Sequence, residues 1–222
     1  MTIDLDIPRR LPVILTDTVF FPQAMLPLHI FEPHDRAMLK DVLWSHRMVA
    51  VRPGLTDPGN AQSQPDIATV GMIRSCRKND DGTSNLVLQG ICRIRCGETL
   101  AKSPYPLIAS KVLTSVPGCN PAKLLHLKGR LLGCIGVKRR LGGPISGEIL
   151  AFLKTIDEPD IMVDLAAYSL CDDMELQQQM LETLNTCQRL KLFIEKLRRD
   201  IDEIRLRKKL QGPLDDDEIG MN

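Results

Sequence analysis

The chain has few aromatic residues, which disfavours one kind of binding surface. Its 222 residues include five Phe, two Tyr and one Trp, so aromatic side chains make up 4% of the sequence. Single-stranded RNA is usually held by bases that stack on aromatic side chains. The single Trp44 and the two tyrosines, Tyr105 and Tyr168, are too few for such a stacking platform.

The chain also lacks an excess of charge and a long apolar run. It has 29 Lys and Arg against 28 Asp and Glu, a net charge of +1, so no overall field favours nucleic acid or a membrane surface. No stretch is long and apolar enough to span a bilayer, and the opening MTIDLDIPRR has acids before its bases and no apolar run, unlike a signal peptide. These patterns predict a cytoplasmic protein with no membrane partner.

Motifs for cofactors and metals are missing as well. The seven cysteines are odd in number and contain no C-x-x-C pair, which suits a reducing compartment better than disulfides or a zinc site. No G-x-x-x-x-G-K-[ST] loop is present, and the glycine cluster from Gly142 to Gly147 is followed by Glu148 instead of Lys. We therefore expect no cofactor, no metal and no ATP site of this kind.

One cluster of titratable residues is a candidate for a catalytic site. His34, Asp35 and Arg36, with Glu32 and His29 nearby, could form an acid/base group. Charged residues near a helix N-terminus are more often ordinary capping and surface chemistry. There is also no G-x-S-x-G elbow, so we predict no catalytic residue and no enzyme.

The hydrophobic period changes near the middle of the chain. Short β-type runs separated by Pro and Gly occupy the first half, with a polar loop over residues 52–66, whereas the second half has helical periodicity. This predicts a β domain over residues 1–118, a helical bundle over residues 119–211, opened by the Asn120–Pro121 cap, and an acidic flexible tail over residues 212–222.

The segment from Leu11 to Trp44 is the most informative. Leu11, Val13 and Leu15 alternate as in a half-buried strand, two prolines hold the next segment extended, and Pro33 begins an amphipathic helix. The segment resembles the opening of the N-terminal domain of Lon proteases. The matching positions are Leu11–Pro12, Asp17, Val19, Phe21–Pro22, Leu26–Pro33, Arg36 and Met38.

The resemblance extends over nearly the whole chain. Further matching motifs are Val70–Ile73, Leu86–Arg95, Asp164–Ala166, Gln179–Glu182 and Arg189–Leu190. Departures lie at His34 and Asp35, where the family usually has Arg and Tyr. The resemblance implies an α+β fold, with a PUA-like β-barrel-type domain followed by a helical bundle that ends in a long helix. It also implies a stand-alone substrate-binding domain without the ATPase and peptidase modules, for which 222 residues leave no room.

Polypeptide recognition is the function that the resemblance implies. Unfolded or degron-bearing clients would bind an exposed apolar surface, with an ATP-dependent protease as a possible partner and adaptor or holdase as the role. The candidate residues crowd a proline-rich segment and are Phe20, Phe21, Met25, Leu26 and Phe31. Most of them would fill the core in the simpler interpretation. Neighbours on an extended chain point to opposite sides, so we expect Phe20 or Phe21 to face outward or into a second core.

An alternative function is an RNA- or ribosome-associated protein. Strand alternation places Arg93 and Arg95 on one face, and the preceding strand extends this basic stripe. The added residues are Arg74, Arg77 and Lys78. A solvated sheet face, or ion pairs to the helices, is the simpler explanation of the stripe, so nucleic acid is the less favoured partner.

The last helix carries an apolar stripe three to four residues apart. Its members are Leu190, Ile194, Leu197, Ile201 and Ile204. The stripe is either a core face or a face that pairs with a second copy of the chain. The role of the basic residues beside it and of the acidic segment Asp215–Glu218 stays open.

Overall fold

The chain forms a six-stranded sheet followed by a bundle of helices, as a computed structural model that describes residues 6–54 and 65–211 shows. The predicted acidic tail, and most of the predicted 52–66 loop, lie outside the described residues. The elements are β1 (Arg10–Thr16), β2 (Met25–Ile30), α1 (Pro33–Leu43), β3 (Met48–Pro53), β4 (Ile67–Lys78), β5 (Ser84–Ala101), β6 (Leu107–Leu113), α2 (Pro121–Arg140), α3 (Gly147–Thr155), α4 (Pro159–Leu170), α5 (Met174–Glu182) and α6 (Thr186–Gln211). The predicted α+β order with a long final helix is confirmed.

Five strands close into a ring and β2 is left at an edge. The strand order is β2-β5-β4-β3-β1-β6, and β6 also pairs with β5. The 18-residue β5 makes this possible, because its first half, Ser84–Gln89, pairs with β2 and its second half, from Arg93 to Ala101, pairs with β6. Among the described strands, β2 is hydrogen-bonded to β5 alone.

Two helices begin at capping residues that can be recognised in the sequence. The Asn120 side chain accepts a hydrogen bond from the Lys123 amide at 2.8 Å, with Pro121 at the first helical position. Asn185 caps α6 in the same way, accepting from the Gln188 amide at 3.0 Å. Each bond satisfies an amide that has no partner within the helix.

Buried side chains fall into two clusters on the two faces of the sheet. A small cluster fills the ring between facing strands and includes Leu11, Val13, Val70 and Ile94. The larger cluster packs the outer face of the sheet against α1 and the helical half. Because both faces of β1 are covered, Leu11 to Ile14 are all buried and Leu15 is exposed, which differs from the predicted simple alternation.

The apolar stripe of α6 is a core face. Leu190, Leu197 and Ile194 are buried in the larger cluster, Ile201 is also buried, and the helix packs mainly on α2 and α4. These residues therefore have partners within the chain. No helix in residues 6–54 and 65–211 is long and apolar enough to cross a membrane.

A carboxylate between two lysines joins α2 to α6 and makes stability depend on pH. Asp200 accepts hydrogen bonds from Lys138 at 2.6 Å and from Lys196 at 2.8 Å. Burial acts to raise the pKa of Asp200, but the two lysines outweigh burial and lower that pKa below its ordinary value. A depressed pKa in the folded state means that the stabilisation is present above the unfolded pKa, about 3.9, and is lost as pH falls through the folded pKa.

We therefore expect the free energy of unfolding of Asp200→Asn to decrease less on acidification than that of the wild type. Urea unfolding of both proteins between pH 6 and pH 2.5 measures this effect. The free energy of unfolding of the wild type should fall more steeply below about pH 4 than that of the variant. Parallel curves for the two proteins would show that the lysine pair does not stabilise the Asp200 carboxylate.

Candidate functional site

The turn before β2 is built into the sheet and buries both phenylalanines. The Gln23 amide donates to Gly90 O at 2.8 Å, and the Gly90 amide donates to Ala24 O at 2.9 Å. Thr69 Oγ1 donates to Phe20 O at 2.5 Å. Phe20 and Phe21 are buried in the same cluster, so the prediction that one of them faces outward or into a second core is wrong. The chain turns at Pro22–Gln23 instead of running extended, so the alternation rule does not apply there.

The strand that follows has one buried and one exposed face. Leu26 and Ile30 are buried in the core, so Leu26 does not lie on a binding surface. The exposed residues are spaced two apart and form what we call the β2 strip: Met25, Pro27, His29 and Phe31. Met25 is 47% exposed and Phe31 is 60% exposed, which is high for large apolar side chains. Two of the five predicted apolar candidates therefore lie on the surface and three do not.

Polar groups of β5 flank the β2 strip. His29 Nδ1 lies 2.9 Å from Asn85 Oδ1, and the His29 ring stacks on Phe31 with centroids 6.1 Å apart. Gln89, opposite Met25, accepts a hydrogen bond from Arg74 Nε at 2.7 Å. His29 is thus an exposed residue of a sheet face.

The outer edge of β2 is only partly available for pairing with another strand. Ala24 O points toward β5, and alternation along a strand then turns the backbone groups of Met25, Pro27 and His29 away from β5. Tyr168 of α4 donates from its hydroxyl to Met25 O at 3.0 Å, and proline has no N–H. A bound peptide would therefore contact mainly the exposed side chains of this surface and would form fewer backbone hydrogen bonds to β2.

The basic stripe of the alternative function is interrupted at its centre. Arg93 is 3% exposed and its guanidinium donates to both carboxylate oxygens of Asp164 in α4, at 2.7 and 2.8 Å. The simpler explanation, an ion pair to the helices, is confirmed for Arg93. Arg74, Arg77, Lys78 and Arg95 are exposed. The predicted continuous face is wrong because helices cover this part of the ring.

The acid/base cluster lies at the exposed start of α1. His34 Nδ1 is 3.2 Å from Glu32 Oε2, and His34 Nε2 is 3.4 Å from Asp35 Oδ1. Burial, reinforced by Glu32 and opposed by His34, raises the pKa of Asp35. The three side chains are close enough to share a metal ion. His34 and Glu32 are about half exposed, and mutual pairing near a helix N-terminus accounts for the group.

Pro27, His29 and Tyr168 also belong to this surface, although the sequence pattern did not single them out. The first two follow from the period-two pattern of Met25–Phe31 once the strand is placed at an edge. Tyr168 comes from 143 residues further along the chain, and no local pattern links it to Met25.

The fold defines a class: a closed sheet with an added edge strand, joined to a helical bundle. Solved structures share it. The N-terminal domain of Mycobacterium avium complex Lon protease matches with a TM-score of 0.66 and 20% identity, covering 85% of this chain and 98% of that chain. The Lon N-terminal domain protein from Xanthomonas campestris matches with a TM-score of 0.60 and 17% identity, covering 84% and 97%.

The sequence assigns the family. The model of the ATP-dependent protease La (LON) substrate-binding domain matches residues 10–199, and the chain belongs to that family. It is 28% identical over 95% of its length to a Lon protease of Desulfosudis oleivorans and 26% identical over 93% to one of Dictyoglomus thermophilum. In each case it spans 26% of the length of the relative.

Proposed function

We propose that the protein recognises polypeptide without chemically changing it, binding unfolded or degron-bearing segments on the β2 strip. The observation that carries the proposal is the exposure of Met25, the first residue of the edge strand β2, and of Phe31, which directly follows its last residue. Exposed apolar groups in line on a strand suit the side chains of an extended peptide. The family, described as a substrate-binding domain, supports the same role.

The spacing of the strip sets the length of client that it holds. Phe31 lies six positions after Met25, which is about 20 Å along an extended chain. An extended client of about six residues covers this distance and can place apolar side chains beside both ends. Because methionine is flexible and polarizable, the contact tolerates many client sequences. Delivery of the client to an ATP-dependent protease, or simple holding, is the role that we propose for this binding.

The double variant Met25→Ser/Phe31→Ser tests the strip. We expect it to weaken binding of a fluorescently labelled, permanently unfolded polypeptide by about tenfold or more, because truncating two half-exposed apolar side chains removes about 1 kcal/mol each. Fluorescence anisotropy of the full chain measures the change. The matched control is Met174→Ser/Phe152→Ser, which removes the same residue types, 37% and 55% exposed, from α5 and α3. Equal affinities of the two variants would contradict the proposal.

Salt separates polypeptide from nucleic acid in the same assay. Phosphate binding weakens steeply as salt rises, whereas apolar contacts do not. We expect polypeptide binding to survive 0.5 M NaCl. Salt-sensitive binding of a single-stranded RNA, unchanged in Met25→Ser/Phe31→Ser and unaccompanied by polypeptide binding, would favour the exposed basic residues instead.

A further inference from the structure

A groove between α1 and β4 forms a second surface, separate from the β2 strip. Two adjoining cavities of about 510 and 440 Å³ share Leu43, Trp44 and Cys76 in their walls. No residue of the β2 strip lines either cavity. The groove therefore needs its own explanation.

The floor of the groove is apolar and its wall carries the single tryptophan of the chain. Leu39 and Ile73 are buried beneath it, and Leu43 is half-buried. Trp44, which follows the last residue of α1, is 88% exposed. Tryptophan is rarely so exposed in a folded protein, since its ring has much apolar area to bury.

The charged residues around the groove are all basic. Five basic side chains line the two cavities: Arg36, Lys40, Arg47, Arg74 and Lys78. No carboxylate lines them in the part of the chain that the structure describes. Five like charges around one apolar floor create a potential that favours an anionic partner.

Three acidic residues of α1 and of the turn after β4 do not line the groove. Asp41 of α1 accepts a hydrogen bond from the Tyr105 hydroxyl at 2.9 Å, and Asp35 lies against His34. Asp81, in the turn between β4 and β5, attracts Arg36 electrostatically but does not line either cavity. The residues that line the groove therefore carry a net positive charge.

We propose that this groove binds an acidic peptide segment of a partner protein. Carboxylates of the segment pair with the rim, and an apolar side chain packs on the aliphatic floor under Trp44. A peptide fits better than single-stranded nucleic acid, because successive bases need several aromatic rings and the groove has one. The inference is independent of the client-binding role of the β2 strip.

Trp44 reports on the groove directly, because the chain has no other tryptophan. We titrate the full chain with an acetylated, amidated peptide Leu-Asp-Asp-Leu-Asp-Glu and follow the emission. The free protein should show the red emission of a water-exposed indole. The peptide should shift it to the blue with a saturable curve that weakens as salt rises. The same peptide with Lys at every acidic position should cause no shift.

Charge reversal locates the site. Lys40→Glu/Lys78→Glu should weaken peptide binding by about tenfold or more, whereas the control Lys123→Glu/Lys154→Glu, at exposed positions on α2 and α3, should leave it unchanged. Met25→Ser/Phe31→Ser should also bind the acidic peptide normally, which separates this site from the β2 strip.

Three results would overturn the proposal. One is the absence of a saturable shift with the acidic peptide. Another is tighter binding of a single-stranded RNA than of the peptide, lost in Lys40→Glu/Lys78→Glu. The third is blue emission from the free protein, because Trp44 would then be covered by the chain itself.

Discussion

Asp164→Ala should lower the free energy of unfolding by about 3–5 kcal/mol, because it leaves two buried arginines without their shared carboxylate. Arg93 donates to both oxygens of Asp164, and Arg189 Nη1 lies 3.2 Å from Asp164 Oδ1. All three side chains are at most 3% exposed. The network ties β5 to α4 and α6, so its loss weakens the attachment of the helices to the sheet, which the apolar core also holds.

Partners of the arginines outside Asp164 do not replace it. Arg93 Nε donates to Leu181 O at 2.8 Å, and Arg189 contacts Asp160, Thr186 and Ser115. These bonds hold the guanidinium groups in place but leave the positive charge of Arg93 without a carboxylate partner. A buried charge without an opposite charge is far more costly than an unmade surface pair.

Urea unfolding of the two proteins, followed by far-ultraviolet circular dichroism, measures the effect. The matched control is Asp172→Ala, which removes a carboxylate that is 78% exposed and 3.2 Å from Lys196. That substitution should change stability by at most about 1 kcal/mol. A loss for Asp164→Ala as small as that for Asp172→Ala would mean that the buried network does not join the two halves.

Gly90→Ala should destabilise the chain by about 3 kcal/mol, at the upper end for overpacking a core. A Cβ at Gly90 would lie 2.1 Å from Phe21 O, a backbone atom that cannot rotate away. The same residue exchanges backbone hydrogen bonds with Gln23 and Ala24. The substitution therefore pushes the turn that precedes the β2 strip away from the sheet.

The same change at Gly133 is the control and should have the opposite sign. Gly133 lies inside α2, and a Cβ there would meet no atom within 4 Å apart from its chain neighbours and the backbone of its own helix. Alanine should then stabilise the helix by about 0.5–1 kcal/mol. Thermal unfolding of both variants compares them. A Gly90→Ala protein as stable as Gly133→Ala would show that the Phe21 carbonyl moves aside without cost.

Much of the fold could be predicted because its signals are local. Pro33 and Asn120–Pro121 mark helix starts, and the run Asn-Asp-Asp-Gly-Thr at residues 79–83, typical of a turn, joins β4 to β5. The side-chain bonds of the caps join residues three apart. Each such feature is set by neighbours in sequence, so pattern and spacing are enough to find it.

The partners of buried polar groups could not be predicted in the same way. Alternation correctly separates Arg93 from Ile94, but it cannot show that the helical half covers the face of Arg93. Asp164 lies 71 residues away in sequence. The closure of the ring through β5 and β6, and the packing of helices on it, decide which positions of the strand meet water.

Only part of the candidate surface could be predicted from the sequence, because strand alternation applies to some of its residues and not to others. Met25 and Phe31 follow the period of β2, so the sequence places them on one face. Phe20 and Phe21 lie in a turn, where Gln23 has a φ of 64° and the alternation of an extended chain ends. The core then takes both rings, with Phe20 set edge-on to Tyr168 at 6.4 Å.

Photo-cross-linking tests the central claim most directly. An unfolded, uncharged polypeptide that carries diazirine groups is bound to the full chain and irradiated, and the linked residues are mapped by mass spectrometry. The account predicts cross-links concentrated between Met25 and Phe31 and at Val87, the residue of β5 that pairs with Pro27, with few on α2 or α3. Cross-links spread over the helices, with none on the β2 strip, would contradict it.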